Sequence, residues 1–118
     1  MFVDKDHENS FKEFMKRAHV TNEDTERRSS LYLLALNPET RKHIIDLYDF
    51  KNNCILLTGL NNAWQTGSSI AITRLAFNLY NGFIGEDESC KVTPLHIFSH
   101  INNNCWDYVM FGIKLRWN

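Results

Sequence analysis

Trp64-Gln65-Thr66-Gly67-Ser68-Ser69 runs directly into Ile70-Ala71-Ile72-Thr73-Arg74-Leu75-Ala76-Phe77-Asn78-Leu79-Tyr80-Asn81-Gly82. Apolar side chains occupy nearly every side of the second stretch, and a helix of that composition sits inside a core. Thr66 or Ser68 suits the N-cap, where a hydroxyl accepts from a free helix amide. Gly82 can supply the left-handed turn that ends the helix. The spacing therefore predicts a helix over about 69–81 at the centre of an all-α domain. Its polar stripe is narrow: Thr73, Arg74 and Asn78, with Asn81 near the end. That stripe and the loop at Trp64 are the places to look for function.

Working outward, Asn37-Pro38-Glu39 is a helix start, with Asn37 as cap and Pro38 in the first helical position. The helix it opens should reach about Tyr48 and bury Ile44, Ile45 and Tyr48. Before it, Thr21 and Asp24 have the spacing of a capping box, followed by a helix polar in its first turns and apolar from Leu31 to Leu36. The first helix spans about 6–18, with Phe11, Phe14, Met15 and Ala18 in one stripe. Glu8 with Lys12 and Glu13 with Arg17 stand four apart in the favourable order.

Beyond the central helix comes a loop with the acidic patch Glu86-Asp87-Glu88, then Thr93-Pro94 opening a short helix through His100. Asn102, Asn103 and Asn104 form a break. The last helix places Trp106, Val109, Met110, Ile113 and Trp117 on one face. Residues 49–63 have no helical period, and a minor strand near 53–58 is the most they can add. The expectation is one all-α domain over 1–118, a compact bundle of about six helices around the apolar helix.

At 118 residues the chain suits a single core. Eight Phe, four Tyr and three Trp give that core large side chains, while five Gly and two Pro argue against a many-turned β-sandwich and against disorder. Thirteen basic and fourteen acidic residues give a net charge of −1, so nucleic acid is disfavoured as a partner. Lys114, Arg116 and Trp117 could form only a local patch. Three cysteines, Cys54, Cys90 and Cys105, at wide spacing and without a signal-peptide pattern, suggest reduced thiols in a cytoplasmic protein. No apolar run approaches the ~20 residues of a membrane helix, so no membrane is expected as partner.

Candidate chemistry is sparse. His96 and His100 share a helix face, but zinc needs three or four ligands, and Cys90 and Cys105 form no Cys-x-x-Cys pair. No metal and no cofactor are expected. Nucleophilic catalysis needs a thiol or hydroxyl beside a base and an orienting group, and nothing marks Cys105 or Cys54 that way. Thr66, Gly67, Ser68 and Ser69 at a helix start could bind an anion through free amides, although no Gly-Lys-Ser/Thr follows. The structural alternative is a cap, with Trp64 as an anchor. Arg74 lies among apolar neighbours and needs a carboxylate. Asp46 and Asp49 are the obvious structural partners, and the functional alternative is a cation available to a ligand.

The residues so assembled resemble a family of small uncharacterised proteins, a domain of unknown function, of low-GC Gram-positive bacteria, their phages and mobile elements. The resemblance rests on His7-Glu8, Tyr48-Asp49-Phe50, Trp64-Gln65-Thr66-Gly67-Ser68 and Arg74-Leu75-Ala76-Phe77-Asn78-Leu79-Tyr80. It continues in Ile97-Phe98, Trp106 and Ile113-Lys114-Leu115-Arg116. The family pattern has Gly before the Trp and often Ser-Gly-Ser after the Thr, where this chain has Ala63 and Gly67-Ser68-Ser69. The loop should turn differently here.

The resemblance implies no activity, cofactor or substrate. It implies a setting in which small proteins act by binding a host or phage protein, including defence nucleases such as CRISPR effectors. The expected function is thus a non-enzymatic protein-binding module, with inhibition of a host defence protein as its specific form. The alternative is a small-molecule or anion-binding, enzyme-like domain using the loop at 64–69 and Arg74. Trp64, Gln65, Thr66, Ser68, Arg74 and Asn78 are the candidate binding residues, and Arg74 with Asp49 or Asp46 is the candidate structural ion pair.

Overall fold

Gly67–Asn81 forms the helix that its composition demands. Thr66 is its N-cap in a reciprocal capping box with Ser69, and Gly82 closes it at φ +82°. The structure, a computed structural model, describes residues 1–86 and 89–118. In chain order the described helices are α1 (Lys5–Arg17), α2 (Thr25–Leu36), α3 (Pro38–Lys42), α4 (Ile44–Leu47), α5 (Gly67–Asn81), α6 (Pro94–Ser99) and α7 (Trp106–Leu115). Short 3₁₀ turns occupy Leu57–Asn61, Ser89–Val92 and Asn103–Cys105. The sheet is minimal: β1 (Tyr48–Asp49) pairs antiparallel with β2 (Cys54–Ile55), Tyr48 opposite Ile55. The class is all-α; β2 falls within the expected 53–58, whereas β1 takes Tyr48, where the third helix was expected to end.

Helix starts follow local chemistry. The Asp4 carboxylate accepts from the His7 amide at 2.8 Å, Asn37 from Glu39 and Thr40, and Thr93 from His96. Each such cap contributes about 1 kcal/mol. The second helix departs from expectation: its cap is Asp24, not Thr21. One Asp24 oxygen accepts from the Arg27 amide and the other holds the Arg27 guanidinium at 2.8 Å. That double use fixes the start three residues later, after a turn through His19 at φ 54°.

The helix opened by Pro38 also differs. It breaks at His43 (φ −108°, ψ 30°) into α3 and α4. The break re-aims the second piece, so that Ile44 and Leu47 are buried while Ile45 is 66% exposed, against the expectation that Ile45 packs inside.

The buried side chains join in one core. Its centre is the pair α5 and α2. Residues 71–77 of α5 and 29–36 of α2 are all buried. α1, α3, α5 and α7 all pack on α2. Ser30 donates to the Ala76 carbonyl at 2.7 Å, so a polar group at the α2–α5 contact is satisfied rather than stranded. Arginines close two helix ends: Arg41 Nε donates to the Ala35 carbonyl at 2.9 Å and Arg116 Nε to that of Leu79 at 2.8 Å.

α7 splits the apolar stripe between core and solvent. Val109, Gly112 and Leu115 are buried, whereas Trp106, Met110 and Trp117 are exposed. Gly112 explains the choice: a Cβ there would lie 2.7 Å from Leu33 Cδ2 and 2.9 Å from Tyr32 Cδ1. The glycine lets α7 lie directly on α2, and the bulkier stripe is turned outward. Asp87 and Glu88 of the acidic patch lie outside the described residues. No described helix is long and apolar enough to cross a membrane.

Candidate functional site

Trp64, Gln65, Thr66 and Ser68 come together at the start of α5. Gln65 reaches inward, donating to the Gly59 carbonyl and to Thr73 Oγ1, both at 3.2 Å, and accepting from Ser69 Oγ at 2.5 Å. Thr66 Oγ1 accepts from the Ser69 amide at 3.2 Å, and the Thr66 amide donates to Ser69 Oγ at 2.7 Å. These groups are engaged with the fold itself, as capping chemistry predicts. Ser68 stands 3.4 Å from Thr66 Oγ1 and lines a cleft of about 200 Å³ with Leu36, Pro38, Ile72, Ile101 and Cys105.

Trp64 is half-buried and stacked on His43, ring centres 4.3 Å apart and planes within 10°. Its indole N–H donates to Asp46 Oδ2 at 3.1 Å. His43 lies 3.9 Å from both Glu39 and Asp46. The expected ion pair of Arg74 with Asp46 or Asp49 is therefore not made. Asp46 serves Trp64, and Asp49 accepts from the Lys51 and Asn52 amides to tie the β1–β2 turn. The helix break at His43 turns Asp46 toward the tryptophan. Arg74 is 8% exposed in α5, and its charge is felt across at His96 on α6. Asn78 lies farther along α5 and donates to the Phe83 carbonyl at 3.1 Å, closing the helix end. The candidate set is thus one cluster at the start of α5 plus two residues elsewhere along it.

His96 and His100 do meet, ring centres 4.3 Å apart, with His100 Nδ1 2.8 Å from the His96 carbonyl. Desolvation, then the charges of His100 and Arg74, hold His96 below its ordinary pKa. Among the described residues no three His, Cys, Asp or Glu side chains gather in metal-binding fashion. The three cysteines form no disulfide.

Large apolar side chains are exposed on and just beyond α6 and α7, besides Met1, Ile45, Leu57 and Ile84 elsewhere. Leu95 is 82% exposed, Trp117 73%, Met110 45% and Trp106 41%. Phe98, one turn after Leu95, meets Trp106 edge to face at 5.9 Å. Met110 stands one turn beyond Trp106, so the side chains form a ridge across the two helices. Trp106 is held in place by donating its indole N–H to the Ile101 carbonyl at 3.0 Å. Scattered exposed apolar residues need no explanation, but a ridge with two tryptophans does.

The whole chain, residues 1–118, matches the model of a family described as Family of unknown function (DUF6075). The chain belongs to that family. No curated protein and no solved structure matches it.

Three features of this DUF6075 chain were not visible as sites in its sequence. Asn53, at φ 58°, is a hub: its amide donates to the Ala18 carbonyl, its Oδ1 accepts from Tyr48, and its carbonyl accepts from Arg27 and Tyr80. It joins the end of α1, the start of α2, the small sheet and α5, and burial pushes the Tyr48 phenol up to about 12. Only its place in an Asn-rich turn hinted at a left-handed residue. His7 is fully buried: Nδ1 accepts from the Val3 amide, so Nε2 carries the proton that reaches the Tyr32 carbonyl at 3.1 Å. The part of the ridge on α7 was legible as an apolar stripe, but not which of its residues face solvent.

Proposed function

We propose that this protein is a non-enzymatic protein-binding module whose contact surface is the ridge over α6 and α7. The observation that carries this is a contrast in how side chains are employed. The polar groups of the loop at 64–69 are engaged in capping and internal hydrogen bonds, whereas Trp106 and Met110 stand exposed one turn apart on α7, with Trp117 exposed just past its end. Trp is among the residue types that dominate binding energy at protein contacts, and an apolar helix face is a common way to present them.

The resemblance to small proteins of low-GC Gram-positive bacteria, their phages and mobile elements supplies the class of partner. We take this to be a host or phage protein, with inhibition of a defence nuclease as the specific form to test first. A second reading, a small-ligand site, is favoured by the apolar cleft at Ser68 and Cys105.

Affinity purification from the native host separates the two. Wild-type protein should retain one stoichiometric protein partner, and a Met110→Glu variant that melts like the parent should lose it. A co-purifying small molecule, or a partner held equally well by the Met110→Glu variant, overturns the ridge reading.

A further inference from the structure

We infer that the outer face of α7 is a self-association surface, pairing antiparallel with α7 of a second copy of this chain about a two-fold axis near Met110. The inference rests on reading that face as a contact surface, and names its occupant.

The argument comes from the order of residues around the helix. At 3.6 residues per turn, placing Met110 at the centre of the exposed face puts Trp106 on one flank and Asp107 and Lys114 on the other, with Trp117 two residues past the helix end. All five are exposed. Neither Asp107, in the first turn of the helix, nor Lys114, in its last, makes an ion pair among the described residues.

In a two-fold antiparallel helix pair each flank faces its own copy, running the other way. Asp107 then meets the partner's Lys114, and Lys114 meets the partner's Asp107. On the opposite flank Trp106 runs toward the end of the partner helix, past which Trp117 is exposed. The charge pairing centres next to Met110. Met110 falls beside the axis, where a flexible thioether adapts to its own image.

A parallel pair has no such match. It would set each residue at the height of its own copy, so the flanking charges would not alternate. The charged flank contributes little affinity by itself, and its use is to set direction and register. The apolar flank supplies the area. Leu95 and Phe98 lie on the neighbouring helix, with Phe98 against Trp106 at the edge of the paired face.

The test is analytical ultracentrifugation of wild type, Asp107→Lys and Lys114→Asp, each first shown by thermal melting to be folded like the parent. Wild type should sediment as a dimer. Each single reversal sets like charges opposite one another twice and should weaken association by at least about tenfold. An equimolar mixture of the two variants should recover the dimer, because the Asp107→Lys chain presents two cations and the Lys114→Asp chain two carboxylates. Wild type that stays monomeric up to about 1 mM, a dimer indifferent to the reversals, or no recovery on mixing would overturn the inference. A monomer that still captures a partner lost in Met110→Glu removes this pairing and leaves the protein-binding reading standing. A charge-reversible dimer without any other partner does the opposite.

Discussion

α2 and α7 are both apolar on more than half of their circumference, yet they end in opposite situations. α2 is covered by α1, α3, α5 and α7, and every residue from 29 to 36 is buried. α7 is covered on one side, by α2, and leaves Trp106, Met110 and Trp117 in solvent. Composition makes the two helices similar, and the count of neighbours makes them different. A helix apolar all round implies either a central position or a surface kept for a partner, and here one chain contains both outcomes.

The sharpest way to break the comparison is to open the covered helix. Leu33 is fully buried in α2 under α7. Leu33→Ala should cost about 4 kcal/mol, transfer and cavity terms together, read as a lower denaturation midpoint in urea. A loss below about 1 kcal/mol would mean that α7 collapses onto the gap, and that the α2–α7 contact is far softer than the close approach at Gly112 implies.

The next effect is titratable. Burial is the largest cause holding His7 at about 4, below its ordinary 6.5, while its ring donates to the α2 carbonyl of Tyr32. The unfolded chain binds a proton at His7 as pH falls through 6.5, and the folded chain only near 4. Stability from this residue is therefore complete above about pH 6.5, is lost between 6.5 and 4, and levels off below. The loss should be about 3 kcal/mol. Urea unfolding at several pH values checks it: His7→Leu should start less stable at pH 7.5, because it strands the Tyr32 carbonyl, yet should flatten the slope in that window. An unchanged slope would place the pH dependence elsewhere.

Gly112→Ala tests how closely the two helices must lie. The added methyl would stand under 3 Å from Leu33 and Tyr32 side-chain atoms, so one helix must shift. A cost of about 2 kcal/mol is expected despite alanine's better helix propensity. A stabilised variant would show that the contact has slack.

The smallest effect on folding comes from the uncovered face. Trp117→Ser removes a side chain that is 73% exposed. It should change unfolding free energy by less than about 0.5 kcal/mol, measured below the concentration at which the protein associates, while weakening association. A large loss of stability there would mean that Trp117 belongs to the core after all.

The helix class, the end of α5 at Asn81 and the caps at Asn37 and Thr93 were determined by sequence alone, and the cap of α5 was narrowed to Thr66 or Ser68, because these depend on residues within one turn of each other. The local strand at Cys54 was legible for the same reason, and so was Trp64 as an anchor at the entry to α5. Three things waited for the tertiary structure. Asp46 was picked out as a partner, but its mate is Trp64 rather than Arg74, since a break at His43 sets where the carboxylate points. Ile45 and the Trp106, Met110 and Trp117 stripe have core-like composition, but which face of a helix is covered depends on neighbours distant in the chain. For α7 the decision falls to a residue without a side chain: Gly112 allows the closest approach to α2, and the helix turns that face inward. Asn53 gathers α1, α2, the small sheet and α5 through hydrogen bonds up to 35 residues apart in sequence. No local pattern encodes such a junction, because each of its bonds exists only once the helices have packed.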